Sequence, residues 1–170
     1  MSGWNYQARK VVGDGFAELK GKRVGLITNQ TAVTRAGVSD IDAFSRATDL
    51  KLAAIFSPEH GIDGAADGRV TSGIEPRSGL PLFSLYGRFT YPSDAMLDGI
   101  DALVFNVQDS GARFYTTVTT MAYAMEFAAR RGIDFYVLDR PNPISSDVVQ
   151  GPVMRGVGWL HHSLCLLITE

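Results

Sequence analysis

A chain of 170 residues with 45% hydrophobic content can bury one ordinary globular core and has too little for two large ones. Its 16 basic and 18 acidic residues give a net charge of −2, which removes the electrostatic basis for nucleic acid as a partner. The longest apolar stretches are strand-sized, well short of the roughly 20 residues that cross a bilayer, and a single cysteine, Cys165, excludes an internal disulfide framework or a cysteine-based zinc cluster. Met1 to Asn5 opens no basic stretch followed by an apolar one, so no export signal is expected. The compartment is left open.

In chain order, a helix is predicted over Tyr6 to Leu19, stopped by Gly21, and a strand over Arg23 to Thr28. A short helix fits Ile41 to Ala47, and a second strand Leu52 to Ser57. From Gly61 to Met96 the chain carries Gly61, Gly64, Gly68, Gly73, Gly79, Gly87, Pro76, Pro81 and Pro92, too many breakers for long regular elements. This stretch reads as a long excursion with a short strand at Leu82 to Leu85, and connections of that size usually serve a site. A third buried strand follows at Ala102 to Val107. The clearest helix is Tyr115 to Arg131, where Val118, Met121, Ala122, Met125, Ala128 and Ala129 form one apolar stripe. Arg130 and Arg131 suit its negative C-terminal end, and Gly132 stops it. A fourth strand is predicted at Ile133 to Leu138. Such continuous apolar runs are expected in a mainly parallel sheet covered on both faces, so the fold class is α/β with βαβ units.

Ligands of an open parallel sheet bind beyond the carboxyl ends of its strands. The residues found there are Thr28, Asn29 and Gln30, then Ser57, Glu59 and His60, then Gln108, Asp109, Ser110 and Arg113, and finally Asp139, Arg140 and Asn142. Amides, acids and guanidinium groups around one crevice suit a polyhydroxylated ligand more than a phosphate. Each also has a plainer reading. Thr28, Asn29 and Ser110 are common caps and turn formers, and Asp109 is placed to cap the segment from Gly111. Arg113 and Arg140 are placed to pair with Asp109 and Asp139, and His60 to serve as a packing residue. Glu59 follows a proline in a glycine-rich loop where no helix needs a cap, which favours chemistry.

Other motifs fail. Gly13-Asp14-Gly15 precedes the first strand, whereas a dinucleotide fingerprint follows one. No Walker sequence and no Gly-x-Ser-x-Gly elbow is present. His60, Glu59 and Asp63 have no recognised ligand spacing, so neither a metal nor a cofactor is expected.

The segments Gly25 to Thr31, Phe56-Ser57-Pro58-Glu59-His60-Gly61, Pro81 to Gly87, Asn106 to Thr116 and Leu138 to Pro143 together resemble the NamZ-type exo-β-N-acetylmuramidases. The likeness runs in order from about Tyr6 to Met154. It implies a Rossmann-like, three-layer N-terminal catalytic domain over residues 1–155. In full-length members a C-terminal domain completes the cleft. The implied reaction is release of N-acetylmuramic acid from the non-reducing ends of peptidoglycan fragments in cell-wall turnover, with peptidoglycan-derived saccharides as the partners. Residues 156–170 match nothing in the family, so they are expected to be an atypical tail in place of the second domain.

The resemblance makes Glu59 the candidate general acid/base, with His60 tuning it or holding a sugar hydroxyl. Asn29, Gln108, Asp109, Arg113, Tyr115, Arg140 and Asn142 become substrate-contact candidates, an arginine suiting the lactyl carboxylate of muramic acid. A second carboxylate is open between Asp109 and Asp63, and the substrate's own acetamido group is an alternative nucleophile. The competing expectations are a sugar-binding or regulatory module without turnover and, from fold alone, a flavodoxin-like domain binding a nucleotide or a partner.

Overall fold

The structure is a computed structural model that describes residues 16–65, 71–87, 90–112, 115–144 and 147–151. Six strands form one sheet: β1 (Arg23–Thr28), β2 (Lys51–Ser57), β3 (Gly73–Ile74), β4 (Pro81–Ser84), β5 (Ala102–Asn106) and β6 (Asp134–Val137), ordered β3-β4-β2-β1-β5-β6. All neighbours pair in parallel except β3 with β4. Strands of one direction need crossovers, and two helices lie among them: α1 (Asp40–Arg46) and α2 (Thr117–Arg130).

The two faces of the sheet hold separate cores. Val24, Leu26, Ile55 and Val104 pack with Ile41 and Phe44 of α1. Ile27, Ala54, Phe56, Leu103 and Phe105 pack with Ala124 and Ala128 of α2. Helix, sheet, helix is the three-layer arrangement expected. Gly25 sits where the second core is tightest: a Cβ there would lie 2.7 Å from Leu103 Cδ2 and 2.9 Å from Phe56 Cε2. A Gly25→Val chain is expected to lose about 1–3 kcal/mol through overpacking, read as a lower urea midpoint.

Each helix end has a local cause. Ser39 accepts a hydrogen bond from the Asp42 amide (3.2 Å) and caps α1. At the far end of α2, Ile133 N bonds to Ala128 O and Gly132 N to Ala129 O, a Schellman closure that needs the positive φ of Gly132. The buried face of α2 keeps only part of the predicted stripe, Met121 and Ala128. Thr120, Ala124 and Ala128 face the sheet with Met121, whereas Met125 is 44% exposed. Small residues allow the helix to approach closely, so they rather than the larger apolar ones mark the contact. Phe127 instead stacks on Tyr91, with ring centroids 4.3 Å apart.

Two further expectations change. Most of the Tyr6 to Leu19 helix lies outside the described residues, but no α-helix runs through Phe16, whose φ is 58° and which leads into a single 3-10 turn, Ala17–Leu19. β6 is the last strand on its side and is half open to solvent, with Val137 41% exposed, so it is not covered on both faces as an interior strand is.

After β1 the chain steps outward through β2 to β4, then returns to the other side of β1 for β5 and β6. The reversal places a topological switch point at the carboxyl ends of β1 and β5, where an α/β sheet opens a crevice.

Candidate active site

The strand ends at the switch point are tied together from below by a buried carboxylate. Asp40, 5% exposed at the start of α1, accepts hydrogen bonds from Thr28 Oγ1 (2.6 Å) and Asn106 Nδ2 (3.0 Å). Burial pushes its pKa up to about 7, against the opposing pull of those donors and of the Arg140 charge. Asn106 in turn accepts from Arg140 Nη2 (2.7 Å) and Nε (3.1 Å), and Arg140 Nη1 donates to Thr31 O (2.7 Å). Burial also lowers the Arg140 pKa, partly offset by Asp40.

Arg140 therefore commits one edge of its fork, and three of its five donors, to the protein. Asp139 accepts from the Arg140 backbone amide (2.9 Å) rather than from the guanidinium, so the pairing of these two side chains expected from sequence does not form. The reason is reach: Arg140 turns inward across the end of β5 to Asn106.

Above this layer lie the amides. Asn29 Oδ1 accepts from Thr31 N (3.0 Å) and Thr31 Oγ1 (2.6 Å), the turn-forming role anticipated for it. Gln108 N donates to Thr31 Oγ1 (3.1 Å), and its side-chain Nε2 donates to Asp109 O (2.8 Å) and Pro141 O (3.3 Å). Asn142 lies over Gly111, whose missing Cβ would fall 2.2 Å from the Asn142 amide nitrogen, and accepts from Ile144 N (3.1 Å). Only glycine, with φ 74°, fits there. Among the described residues, the Asn29 and Asn142 amide groups and the Gln108 carbonyl keep hydrogen-bonding capacity unspent.

Glu59 stands on the β2 side of the same edge. It is half-buried, and its Oε2 accepts from Thr116 Oγ1 at 2.6 Å. The Tyr86 hydroxyl, just past β4, bonds to the same carboxylate, and that bond with the carboxylate's charge raises the Tyr86 pKa above its ordinary value. His60 and Gly61 follow with φ of 69° and 81°. A left-handed backbone is costly for histidine, and such conformations cluster at functional sites. His60 is exposed rather than a packing residue. Tyr115, also exposed, precedes Thr116.

Asp109 accepts from Gly111 N (2.7 Å) and from Thr117 Oγ1, which supports the capping reading of it. Asp63 accepts from Ala65 N (3.2 Å) and lines a groove of about 520 Å³ together with Asn29, Gln30, Asp40, Ile62 and Arg77. Arg113 lies outside the described residues. Among the described residues no three His, Cys, Asp or Glu side chains gather as a metal-ligand set.

Sequence reasoning missed Asp40, Asn106, Thr31, Tyr86 and Thr116. Asn106 carried a signal, as a polar residue closing an apolar strand, and so did Tyr86 between a strand and a glycine. Asp40 carried none, standing just before the helix predicted from Ile41.

The sequence profile of the family described as exo-β-N-acetylmuramidase NamZ, N-terminal, matches residues 24–157. The peptidoglycan β-N-acetylmuramidase NamZ of Bacillus subtilis (strain 168) is 48% identical over 140 residues, covering 81% of this chain and 34% of that protein. A crystal structure of a DUF1343 family protein from Bacteroides fragilis superposes with a TM-score of 0.79 at 42% identity, covering 85% of this chain and 36% of the other. A second protein of that family and organism gives a TM-score of 0.64 at 32% identity, over 78% and 33%. The chain spans about a third of the length of these relatives. With its parallel sheet, its switch-point crevice and this match over most of its residues, the chain belongs to the exo-β-N-acetylmuramidase NamZ family, in the N-terminal region of that family.

Proposed function

We propose that residues 1–155 form the catalytic domain of an exo-acting glycosidase that releases N-acetylmuramic acid from the non-reducing ends of peptidoglycan fragments, with Glu59 as its general acid/base and residues 156–170 as a tail. The observation that carries the reading is the placement of Glu59: a half-buried carboxylate at the carboxyl edge of the sheet, beside the switch point and held by a hydroxyl from another element. Glycoside cleavage needs a group that protonates the leaving oxygen, and a fixed carboxyl serves.

The unspent groups of Asn29, Gln108 and Asn142 provide donors and an acceptor for sugar hydroxyls and the acetamido group. Arg140 offers its two remaining N–H groups, Tyr115 extends the same edge, and Arg113 is a further candidate for contact with the saccharide. His60, carried on a strained turn beside Glu59, holds a hydroxyl of the terminal sugar. The opposite wall of the cleft comes from a C-terminal domain of the kind that full-length relatives carry.

The test is hydrolysis of a chromogenic N-acetylmuramide by this chain and by the chain extended with the remainder of a NamZ relative. Release of chromophore by the extended protein is expected. A folded extended protein that releases none overturns the reading, and binding of N-acetylmuramic acid without hydrolysis by either protein leaves a saccharide-binding module.

A further inference from the structure

α2 opens on two threonines, and neither behaves as a helix cap. A threonine at that position ordinarily sits in the β region and accepts a hydrogen bond from an amide of the first turn. Ser39 does this for α1, with ψ of 148° and its hydroxyl on the Asp42 amide. Thr116 has φ of −87° and ψ of −4° and makes no cap bond. Its hydroxyl is given to Glu59 Oε2 across 57 residues of sequence, at 2.6 Å. Thr117, the next residue, gives its hydroxyl to Asp109.

Thr116 makes no cap bond, and its hydroxyl proton goes instead to a carboxylate on the loop after β2. A local rule broken in this way marks a functional constraint more often than a defect. The electrostatics agree. The first turn of α2 has no acidic residue of its own, so its positive end is met by carboxylates from two other loops. Tyr86 approaches Glu59 from the end of β4, so the carboxylate is braced by two elements it does not belong to.

We propose that Thr116, with Tyr86, is a positioning residue that fixes the Glu59 carboxylate toward the crevice. The inference rests on the reading of Glu59 as the reacting carboxylate. Misplacing a reacting group by about 1 Å costs on the order of 100-fold in rate, and a group that orients the acid/base contributes to turnover more than to substrate binding.

The test compares Thr116→Val, Thr116→Ser, Tyr86→Phe and Glu59→Gln. In the chain itself, spectrophotometric titration of tyrosine, with Tyr86→Phe identifying the residue, is expected to show the Tyr86 midpoint falling in Glu59→Gln. The two γ-protons of Glu59 are expected to keep distinct NMR shifts in the wild type and in Thr116→Ser and to merge in Thr116→Val. In the extended enzyme, Thr116→Val is expected to lower kcat by about 10- to 100-fold with KM changed less than about twofold. Thr116→Ser is expected to restore most of it, because its hydroxyl can still donate to Glu59.

Full kcat in Thr116→Val while Glu59→Gln is inactive overturns the positioning role alone. Full activity in Glu59→Gln overturns the reading of Glu59 and this inference with it. A melting temperature that falls in Thr116→Val and recovers in Thr116→Ser, with kcat unchanged throughout, shows a cap and overturns the proposal.

Discussion

Unfolding free energy is expected to fall as the pH rises from about 5 to about 8, by as much as about 3 kcal/mol, and the fall is expected to disappear in Asp40→Asn. Asp40 has a native pKa of about 7 against about 3.9 in an unfolded chain. The folded state therefore holds a proton across this interval that the unfolded state has released, and stability declines with pH wherever the folded state binds more protons. The contribution is fully present below about pH 4 and is lost as the pH passes through about 7. The two units between pH 5 and 7, at about 1.4 kcal/mol each, set the upper size. The physical cause is confinement: the carboxyl is 5% exposed, and Arg140, a cation near it, is engaged with Asn106 and Thr31 rather than with Asp40 itself.

Other acids act outside this window. Asp101, held by a two-pronged bond from Arg23, has its pKa lowered to about 2, and its contribution is lost only as the pH falls below about 4. Burial pushes the Glu75 carboxyl up, but the Ser78 hydroxyl and amide and the Arg77 donors outweigh it and leave it below its ordinary value. Urea titrations of the wild type and of Asp40→Asn at several pH values check the expectation. Parallel profiles for the two chains would show that Asp40 is not the source of the slope.

The central strands were legible because their signal is local. β1 spans Arg23–Thr28 as its apolar run predicts, and the α1 and β4 boundaries fall within one residue of expectation. An edge strand carries the same apolar signature as an interior one when its neighbour is unknown, which is why β6 read as fully covered. The α2 stripe misled for a related reason: hydrophobicity ranks Met125 above Thr120, whereas a close helix–sheet contact selects for small side chains.

In the site, Glu59 was visible because Pro58 and Gly61 bracket it in a loop with no helix to cap. Asp40 and Asn106, separated by 66 residues, become neighbours only when α1 docks beside β1 and β5. Nothing local to either foretells the other. Thr116 was hidden differently, since the sequence puts it inside the helix predicted from Tyr115, whereas the helix starts at Thr117 and Thr116 stands at its N-terminus without a cap bond.

Glu59→Gln in the extended protein is expected to reduce hydrolysis of an N-acetylmuramide by about 100- to 10,000-fold, the range over which a positioned proton donor and acceptor acts. Glutamine keeps the size of the side chain and an oxygen that can accept from Thr116 Oγ1 and Tyr86, so the loop from Pro58 to Gly61 and the braces around it stay in place. What it loses is the exchangeable proton and the charge. Binding is therefore expected to persist: calorimetric titration with N-acetylmuramic acid should give an affinity within a few-fold of the wild type, because Asn29, Gln108 and Asn142 are untouched. A loss of affinity equal to the loss of rate would assign Glu59 to substrate binding instead. The leaving group separates the two roles further. An aryl leaving group that departs without protonation should lose less rate in Glu59→Gln than a natural disaccharide, whose alkoxide needs the proton. Equal losses on both substrates would place Glu59 in the attack on the anomeric carbon, on the opposite side of the reaction from the leaving oxygen.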